Sequence, residues 1–213
     1  MRDRSPAAGV VWLAGLLLLA ATLVPAARSG CGDCALLRRL RTTGGFILYT
    51  RHADRDGKAD RLTDRGRARA RVWGQALRRA GILSPGNVVT AGTLRTLETA
   101  LAAFDSPPRT DPDLDEVYRA GQEPALEAAE QAGDSARVAH LRGLLRTRPA
   151  PGRNLLVIGS TNIFQRATGR PALAWLETAV LRPDGRGGVI ELGRFTAEEF
   201  AAWLAGCGSG RTR

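Results

Sequence analysis

The stretch from Phe46 to Ala53, FILYTRHA, is an apolar run that ends abruptly in a charged pair. Its first five residues are typical of a buried β-strand, and Arg51-His52 comes where such a strand would end. A polar loop containing a glycine follows at residues 54–61. Because open α/β sheets bind ligands at the carboxyl ends of their strands, the pair predicts a functional site at the end of a central strand.

The rest of the chain alternates between helical and strand patterns. At 213 residues it suits one domain with one sizeable core. Helices are expected at residues 35–41, 63–80, 93–104, 123–146 (interrupted near Gly133) and 196–205, strands at 87–91 and 154–159, a hairpin at 177–192 and a loop at 105–112. This alternation predicts an α/β fold of three layers, with a mainly parallel sheet flanked by helices.

Two of these expected helices carry an apolar stripe at helical spacing. The stripe of the helix at 63–80 consists of Ala68, Val72, Ala76 and Leu77, and that of the helix at 93–104 consists of Leu94, Leu97, Leu101 and Phe104. The arginines between residues 65 and 71 are expected on an exposed helix face.

The N-terminus has the pattern of a targeting segment. Arg2 and Arg4 precede an apolar run, Val10–Val24, and small residues around Ala26 suit cleavage. The sequence therefore predicts a secretory signal peptide over residues 1–26 and export to the periplasm or the cell exterior. The run is short of the roughly 20 residues of a full membrane span. An uncleaved membrane anchor is the alternative.

Three cysteines would then lie in an oxidising compartment. Cys31 and Cys34 form a CxxC pair near the mature N-terminus, and Cys207 lies near the other end of the chain. A disulfide from Cys31 or Cys34 to Cys207 would tie the two ends together and leave one thiol; the spacing does not choose between them. No histidine or further cysteine lies near the pair, so a metal site is not expected.

The formal net charge is +10, and nearly all of the cations are arginines, since Lys58 is the single lysine. The arginines are spread along the chain, as on a well-solvated surface. The charge also favours anionic partners, including phosphorylated metabolites or an anionic membrane surface. No aromatic motif for stacking bases accompanies the arginines, so a nucleic-acid partner is not expected. A membrane-tethered binder that uses the basic surface is a weaker hypothesis.

Three segments lie at expected strand ends or directly after them: Arg51-His52, Thr93–Thr96 and Gly159–Asn162. In a parallel sheet these ends meet at one edge. Together they supply an imidazole, two guanidinium groups, hydroxyls and helix N-terminal amides, which suit a phosphate. A neutral imidazole beside a bound phosphoryl group can attack phosphorus and form a phosphohistidine.

Five segments, in this order, resemble the motif series of the histidine phosphatase superfamily, which has the phosphoglycerate mutase-like fold. They are the RHG/RHA signature at Tyr49–Ala53, the L-T-x-x-G-R helix start at Leu62–Ala70, the second-arginine motif at Thr93–Ala100, the strand at Asn154–Ser160 and the hairpin turn at Leu181–Gly185.

The resemblance divides the chain into four parts. Residues 1–26 are the expected signal peptide, residues 27–44 a segment with the CxxC pair, residues 45–205 the histidine phosphatase-like domain and residues 206–213 a C-terminal tail. Within the domain the resemblance implies no cofactor and no metal.

The resemblance also implies roles for individual residues. His52 would be the phosphorylated nucleophile, and Arg51 and Arg95 would bind the phosphoryl oxygens. The proton donor of the family is an acidic residue near the middle of the chain. Glu116 is the expected donor, and Asp115 is its competitor.

The chain departs from the family at one catalytic position. Where the family has its second histidine, after the strand, this chain has Ser160. Losing such a donor costs roughly 10²–10³ in rate. Ser160 and Thr93 remain as candidate hydroxyl donors to phosphate. His140 lies well before the strand in a helical stretch and is expected to be an ordinary surface or packing residue.

Two function hypotheses result. The first is an exported phosphatase that hydrolyses a small phosphomonoester through His52, with reduced activity. The second is a catalytically inactive relative that binds a phosphorylated or other anionic ligand. The retained His52, Arg51 and Arg95 favour the first, and Ser160 favours the second.

A mutase is disfavoured because export would remove it from the glycolytic pool. A membrane contact is expected only if the N-terminal segment stays uncleaved, and the oligomeric state is not predicted.

Overall fold

The structure, a computed structural model, describes residues 31–57, 59–114 and 124–208. The helices are α1 Cys31–Thr42, α2 Asp64–Ala80, α3 Leu94–Phe104, α4 Pro124–Arg146, α5 Thr161–Thr168 and α6 Ala197–Gly208. The strands are β1 Ile47–Arg51, β2 Val88–Thr90, β3 Arg109–Thr110, β4 Leu155–Gly159, β5 Thr178–Pro183 and β6 Val189–Phe195.

These strands form a six-stranded sheet in the order β3-β2-β4-β1-β5-β6. Strands β3, β2, β4 and β1 are parallel, and β5 and β6 continue the sheet as an antiparallel hairpin. In the β1–β4 register Arg51 lies opposite Gly159, so both strands end at the same edge. The predicted α/β class and mainly parallel sheet are confirmed.

The sheet separates two hydrophobic clusters, as the alternation of side chains along β1 requires. Leu48 joins the cluster that contains Leu37 of α1, Trp73 of α2 and Phe200 of α6. Ile47 and Tyr49 point to the other face and join the cluster of α4 and α5. This arrangement gives the three predicted layers, and it places α1 inside the domain core.

The ends of α2 lie where the sequence predicts them. Thr63 is the N-cap, and its Oγ1 accepts a hydrogen bond from the Gly66 amide at 3.0 Å. Gly81 ends the helix in the left-handed region, with φ 65°, which glycine adopts without steric cost. The helix boundary is therefore a local property of these two residues.

The apolar residues along α2 and α3 are only partly buried. Val72 is 55% exposed, and Ala68, Leu94 and Leu101 are also exposed. The buried positions of α3 are small: Thr96, Thr99, Ala100 and Ala103. Of these, Ala103 lies against Gly74 of α2, where a Cβ on the glycine would collide with the Ala103 backbone. Close approach of the two helix backbones selects small residues, so the largest apolar side chains do not mark the interface.

Two other segments differ from expectation. Helix α4 is continuous through Gly133, where an interruption was expected. The segment expected to be a loop at 105–112 contains the two-residue strand β3, which pairs with Val89 and Thr90 at the sheet edge.

A disulfide joins Cys34 of α1 to Cys207 of α6, across a sequence separation of 173 residues. The disulfide selects Cys34 from the two candidates that the spacing left open.

Helix α6 begins with a reciprocal cap, in which the Glu199 amide donates to Thr196 Oγ1 and the Thr196 amide donates to the Glu199 carboxylate.

Among the described residues, no helix has both the length and the apolar character needed to cross a membrane. The predicted signal peptide at 1–26 lies outside the described residues.

Candidate active site

His52 lies directly after β1 and is only 2% exposed. Its amide donates to the carbonyl of Gly159 at 3.0 Å, which continues the β1–β4 pairing by one residue. The next amide, that of Ala53, donates to Thr99 Oγ1 of α3 at 3.0 Å. The backbone at His52 is therefore held between the end of the sheet and α3.

A backbone contact determines which ring nitrogen of His52 carries the proton. Nδ1 lies 2.8 Å from the carbonyl oxygen of Ala53. A carbonyl oxygen only accepts hydrogen bonds, so Nδ1 is the donor. In the neutral ring, Nε2 then carries the lone pair, and it is the nitrogen that could attack an electrophile.

The surroundings of His52 favour the neutral ring. Burial lowers the pKa of His52 from 6.5 to about 3. The hydrogen bond to Ala53 raises this pKa in part, and the positive charges of Arg95, Arg51 and Arg55 lower it. The imidazole is therefore uncharged near neutral pH.

Arg51 is held in place by the segment after α5. Its guanidinium donates to the carbonyl of Leu173 at 2.9 Å and lies 5.5 Å from the centre of the Trp175 ring. Its backbone amide donates to the carbonyl of Glu177 at 3.2 Å. These contacts fix the guanidinium at the end of β1, next to His52.

Arg95 lies in the first turn of α3 and forms an ion pair with Asp60, at 2.8 Å from Nη1 to Oδ1. The other oxygen of Asp60 accepts from the Leu94 amide at 3.1 Å. The helix N-terminal amides that the sequence assigns to phosphate are thus occupied at α3 by a carboxylate of the same chain.

Ser160 is the N-cap residue of α5 and is 4% exposed. Its carbonyl accepts from the Tyr49 hydroxyl at 2.9 Å, but its own Oγ has no hydrogen-bond partner among the described residues. A buried hydroxyl without a partner costs about 1–3 kcal/mol. Ser160 lies next to Gly159, which binds the His52 amide, so a bound oxyanion could satisfy this hydroxyl.

Thr93 is the N-cap residue of α3, but its side chain caps no amide. Its Oγ1 lies 3.1 Å from Oγ1 of Thr96, whose hydroxyl donates to the Ala91 carbonyl. Glu116 and Asp115, the two candidate proton donors, lie outside the described residues.

Four of the six predicted site residues thus come together at one edge of the sheet. Arg51 and Arg95 are close enough for their positive charges to act on the imidazole of His52. Ser160 reaches the same edge through the β1–β4 pairing.

Sequence reasoning missed an ion-pair network that begins at Asp54, two residues after His52. Asp54, which is buried, accepts from Arg69 at 2.5 Å, and Arg69 also pairs with Glu198 of α6 at 2.9 Å. Arg69 was expected on an exposed face, and this was wrong because Asp54 and Glu198 cover its guanidinium. The sequence places Asp54 directly after Arg-His-Ala but does not show that it is buried, and a carboxylate needs a cation nearby only where it is buried.

A second polar cluster lies apart from these residues. Asp111, Asp113 and His140 each place one possible ligand atom within 4.8 Å of the others, an arrangement that could hold a metal ion. His140 Nε2 lies 2.9 Å from Asp111, and its side chain is partly exposed, as expected of a surface residue of α4. The cluster contains none of the residues around His52.

Several solved structures have this fold, and two of them are described as phosphatases. The protein histidine phosphatase SixA, solved with tungstate, aligns with a TM-score of 0.50 at 17% identity, over 72% of this chain and 98% of that chain. A mycobacterial glucosyl-3-phosphoglycerate phosphatase, solved with inorganic phosphate, aligns with a TM-score of 0.52 at 13% identity, over 73% and 99%. YhfR of Bacillus stearothermophilus aligns with a TM-score of 0.50 at 16% identity, over 68% and 94%.

No family model matches the sequence, and no curated protein matches it. At these identities the structural likeness concerns the fold. The chain shares the α/β fold of these solved structures, which is the fold class that the sequence predicted.

Proposed function

We propose that this protein is an exported phosphatase that hydrolyses a phosphomonoester through a phosphohistidine at His52, with activity reduced by the serine at position 160. One observation carries the proposal. A buried, neutral imidazole with its lone pair on Nε2 lies beside the guanidinium groups of Arg51 and Arg95. This combination supplies a nucleophile and the positive charge that a phosphoryl group needs.

The proposed reaction has two steps. In the first, Nε2 of His52 bonds to phosphorus, the bond from phosphorus to the ester oxygen breaks, and an acid gives the departing alcohol its proton. In the second, water attacks phosphorus, the bond from phosphorus to Nε2 breaks, and the group that acted as the acid takes up a proton from that water, which releases neutral His52 and inorganic phosphate. Glu116 is the proposed acid and base, with Asp115 as the alternative. Arg51 and Arg95 offset the charge on the phosphoryl oxygens throughout.

Ser160 would limit the rate of both steps. Its hydroxyl can give one neutral hydrogen bond to a phosphoryl oxygen, where the family places an imidazole. By comparison with the removal of one donor from other sites, we expect a rate about 10²–10³ lower than with histidine at this position.

The first test is turnover of a generic aryl phosphate from acid to neutral pH. Wild type is compared with His52→Ala and with His140→Ala, which removes the partly exposed histidine of α4. We expect His52→Ala to abolish turnover and His140→Ala to leave it unchanged. Equal rates in all three proteins would contradict a phosphohistidine mechanism on this substrate.

The buried Oγ of Ser160 also favours a second candidate, an inactive relative that binds a phosphorylated or other anionic ligand, because such a hydroxyl can bind an oxyanion without catalysis. In that case millimolar tungstate raises the melting temperature while turnover stays at background. Activity gained by Ser160→His would show that the serine alone disables the site. No shift with tungstate would contradict both candidates.

Export is part of the proposal. The predicted signal peptide at residues 1–26 supports it, and the Cys34–Cys207 disulfide suits an oxidising compartment. The net positive charge of the chain would attract a small anionic substrate.

A further inference from the structure

The carboxylate of Asp60 occupies the place at α3 where a phosphoryl group is expected. Oδ1 lies 2.8 Å from Nη1 of Arg95, and Oδ2 lies 3.1 Å from the Leu94 amide. The Arg95 amide is 3.5 Å from Oδ1. A guanidinium and consecutive amides at a helix N-terminus are the groups that bind phosphate in proteins. Asp60 therefore uses donors that a phosphoryl ligand would use.

The start of α3 has no cap of its own. Thr93 is the N-cap residue, but its hydroxyl is directed to Thr96 and caps no amide. Because the first amides of a helix have no partner within the helix, an acceptor from elsewhere is needed. Asp60, 34 residues earlier in the chain than Leu94, supplies it.

The base of the loop that carries Asp60 is fixed, while the residue itself is not buried. Arg55 pairs with Leu62 in an isolated antiparallel bridge, and the Leu62 amide donates to Glu98 of α3 at 2.8 Å. Asp60 lies two residues before Leu62, and its side chain is 46% exposed. A change of side-chain conformation would release Arg95 without moving the base of the loop.

We propose that Asp60 is a built-in competitor for the phosphoryl ligand. At rest its carboxylate holds Arg95 and the α3 amides, and a bound oxyanion replaces it. This inference rests on the proposed function and adds a control on ligand affinity. A ligand that uses these donors must first displace the carboxylate, so Asp60 lowers the affinity of the site for every such oxyanion by the same factor.

The competing explanation is that Asp60 positions Arg95 for ligand binding. The two roles predict opposite effects of the same substitution. Asp60→Asn removes the negative charge but keeps an oxygen that can accept from the Leu94 amide. If Asp60 competes, the variant binds oxyanion more tightly. If Asp60 positions Arg95, the variant binds more weakly.

The test is isothermal titration calorimetry, in which tungstate is added to the full-length chain with its Cys34–Cys207 disulfide formed. Asp64→Asn is the matched control, because it makes the same charge change four residues away and Asp64 pairs with Arg67 instead of Arg95. We expect Asp60→Asn to bind tungstate roughly two- to fivefold more tightly, the size of a partly exposed ion pair. Asp64→Asn should bind as wild type does.

A second measurement needs no variant. In wild type, tungstate should shift the amide resonances of Leu94 and Arg95, which lose their contact with Asp60. The Leu62 amide should shift little, because its bond to Glu98 persists.

Three results would overturn the inference: weaker binding by Asp60→Asn, unchanged binding, or an equal gain in Asp64→Asn. Unmoved Leu94 and Arg95 resonances in tungstate-bound wild type would also overturn it. If neither wild type nor Asp60→Asn binds tungstate, the proposed function itself fails, and this inference fails with it.

Discussion

Both the burial of His52 and its proposed chemistry require an uncharged imidazole. The side chain is 2% exposed, and burial is the main cause of its low pKa. The neighbouring charges of Arg95 and Arg51, which would bind a phosphoryl group, act in the same direction. The residues that would prepare the site for an anion therefore also keep its nucleophile neutral.

This low pKa predicts how stability depends on pH. The pKa of His52 is about 3 in the folded protein and 6.5 in a model peptide, so the unfolded chain takes up a proton first as the pH falls. The contribution of His52 is complete above pH 6.5 and is lost between pH 6.5 and 3. At about 1.4 kcal/mol per pH unit at most, wild type should lose up to about 3 kcal/mol more than His52→Gln between pH 6.5 and 4.

Urea denaturation of both proteins at several pH values would measure this difference. Glutamine does not titrate, so every other acid-sensitive group contributes equally to both curves. Parallel curves would mean that His52 is not buried in its neutral form.

At the scale of the elements, the packing of α2 against α3 depends on small residues. Gly74 of α2 meets the backbone of Ala103 so closely that a Cβ at position 74 would collide with it. This close contact matters for the site because α3 carries both Arg95 and Thr99, which binds the Ala53 amide beside His52.

We expect Gly74→Ala to destabilise the protein by about 1–3 kcal/mol, because the added methyl group must push the two helices apart. Gly143→Ala is the control. Gly143 is an exposed residue of α4, and a Cβ there would meet nothing within 4 Å. This substitution should stabilise by about 0.5–1 kcal/mol, the ordinary preference of a helix for alanine. Equal effects of the two changes on the thermal midpoint would contradict the close contact.

At the scale of the whole molecule, the Cys34–Cys207 disulfide joins the two ends of the described fold. It links α1 to α6 across 173 residues of chain. Helix α6 also carries Glu198, which pairs with Arg69 and through it with Asp54 next to the Arg-His pair. The bridge therefore holds a helix that is linked, through Glu198 and Arg69, to the residue that follows Arg-His-Ala.

Reducing this bridge should lower the free energy of unfolding by about 3–5 kcal/mol, since a closed loop of this length strongly restricts the unfolded chain. The measurement is urea denaturation with and without a thiol reductant. Cys31→Ser should respond to the reductant as wild type does, and Cys34→Ser with Cys207→Ser should not respond. A wild type that is insensitive to the reductant would argue against the bridge.

The sequence by itself determined the features that depend on neighbouring residues. Thr63 and Gly81 bound α2 through their own side-chain and backbone chemistry, and the apolar run before Arg51 forms the central strand. The convergence of His52, Arg95 and Ser160 was also predictable, because parallel strands present their carboxyl ends at one edge. The α/β class follows from the same local patterns.

The tertiary structure decided which distant residues meet. Only the packed chain selects Cys34 for the bridge, exposes Leu94 and Leu101 of α3, pairs Arg69 with Asp54 and pairs Asp60 with Arg95. Each of these contacts depends on the distance and orientation between elements that are far apart in the chain. Hydrophobic periodicity and local motifs carry no information about either, so these features appear only once the helices are packed against the sheet.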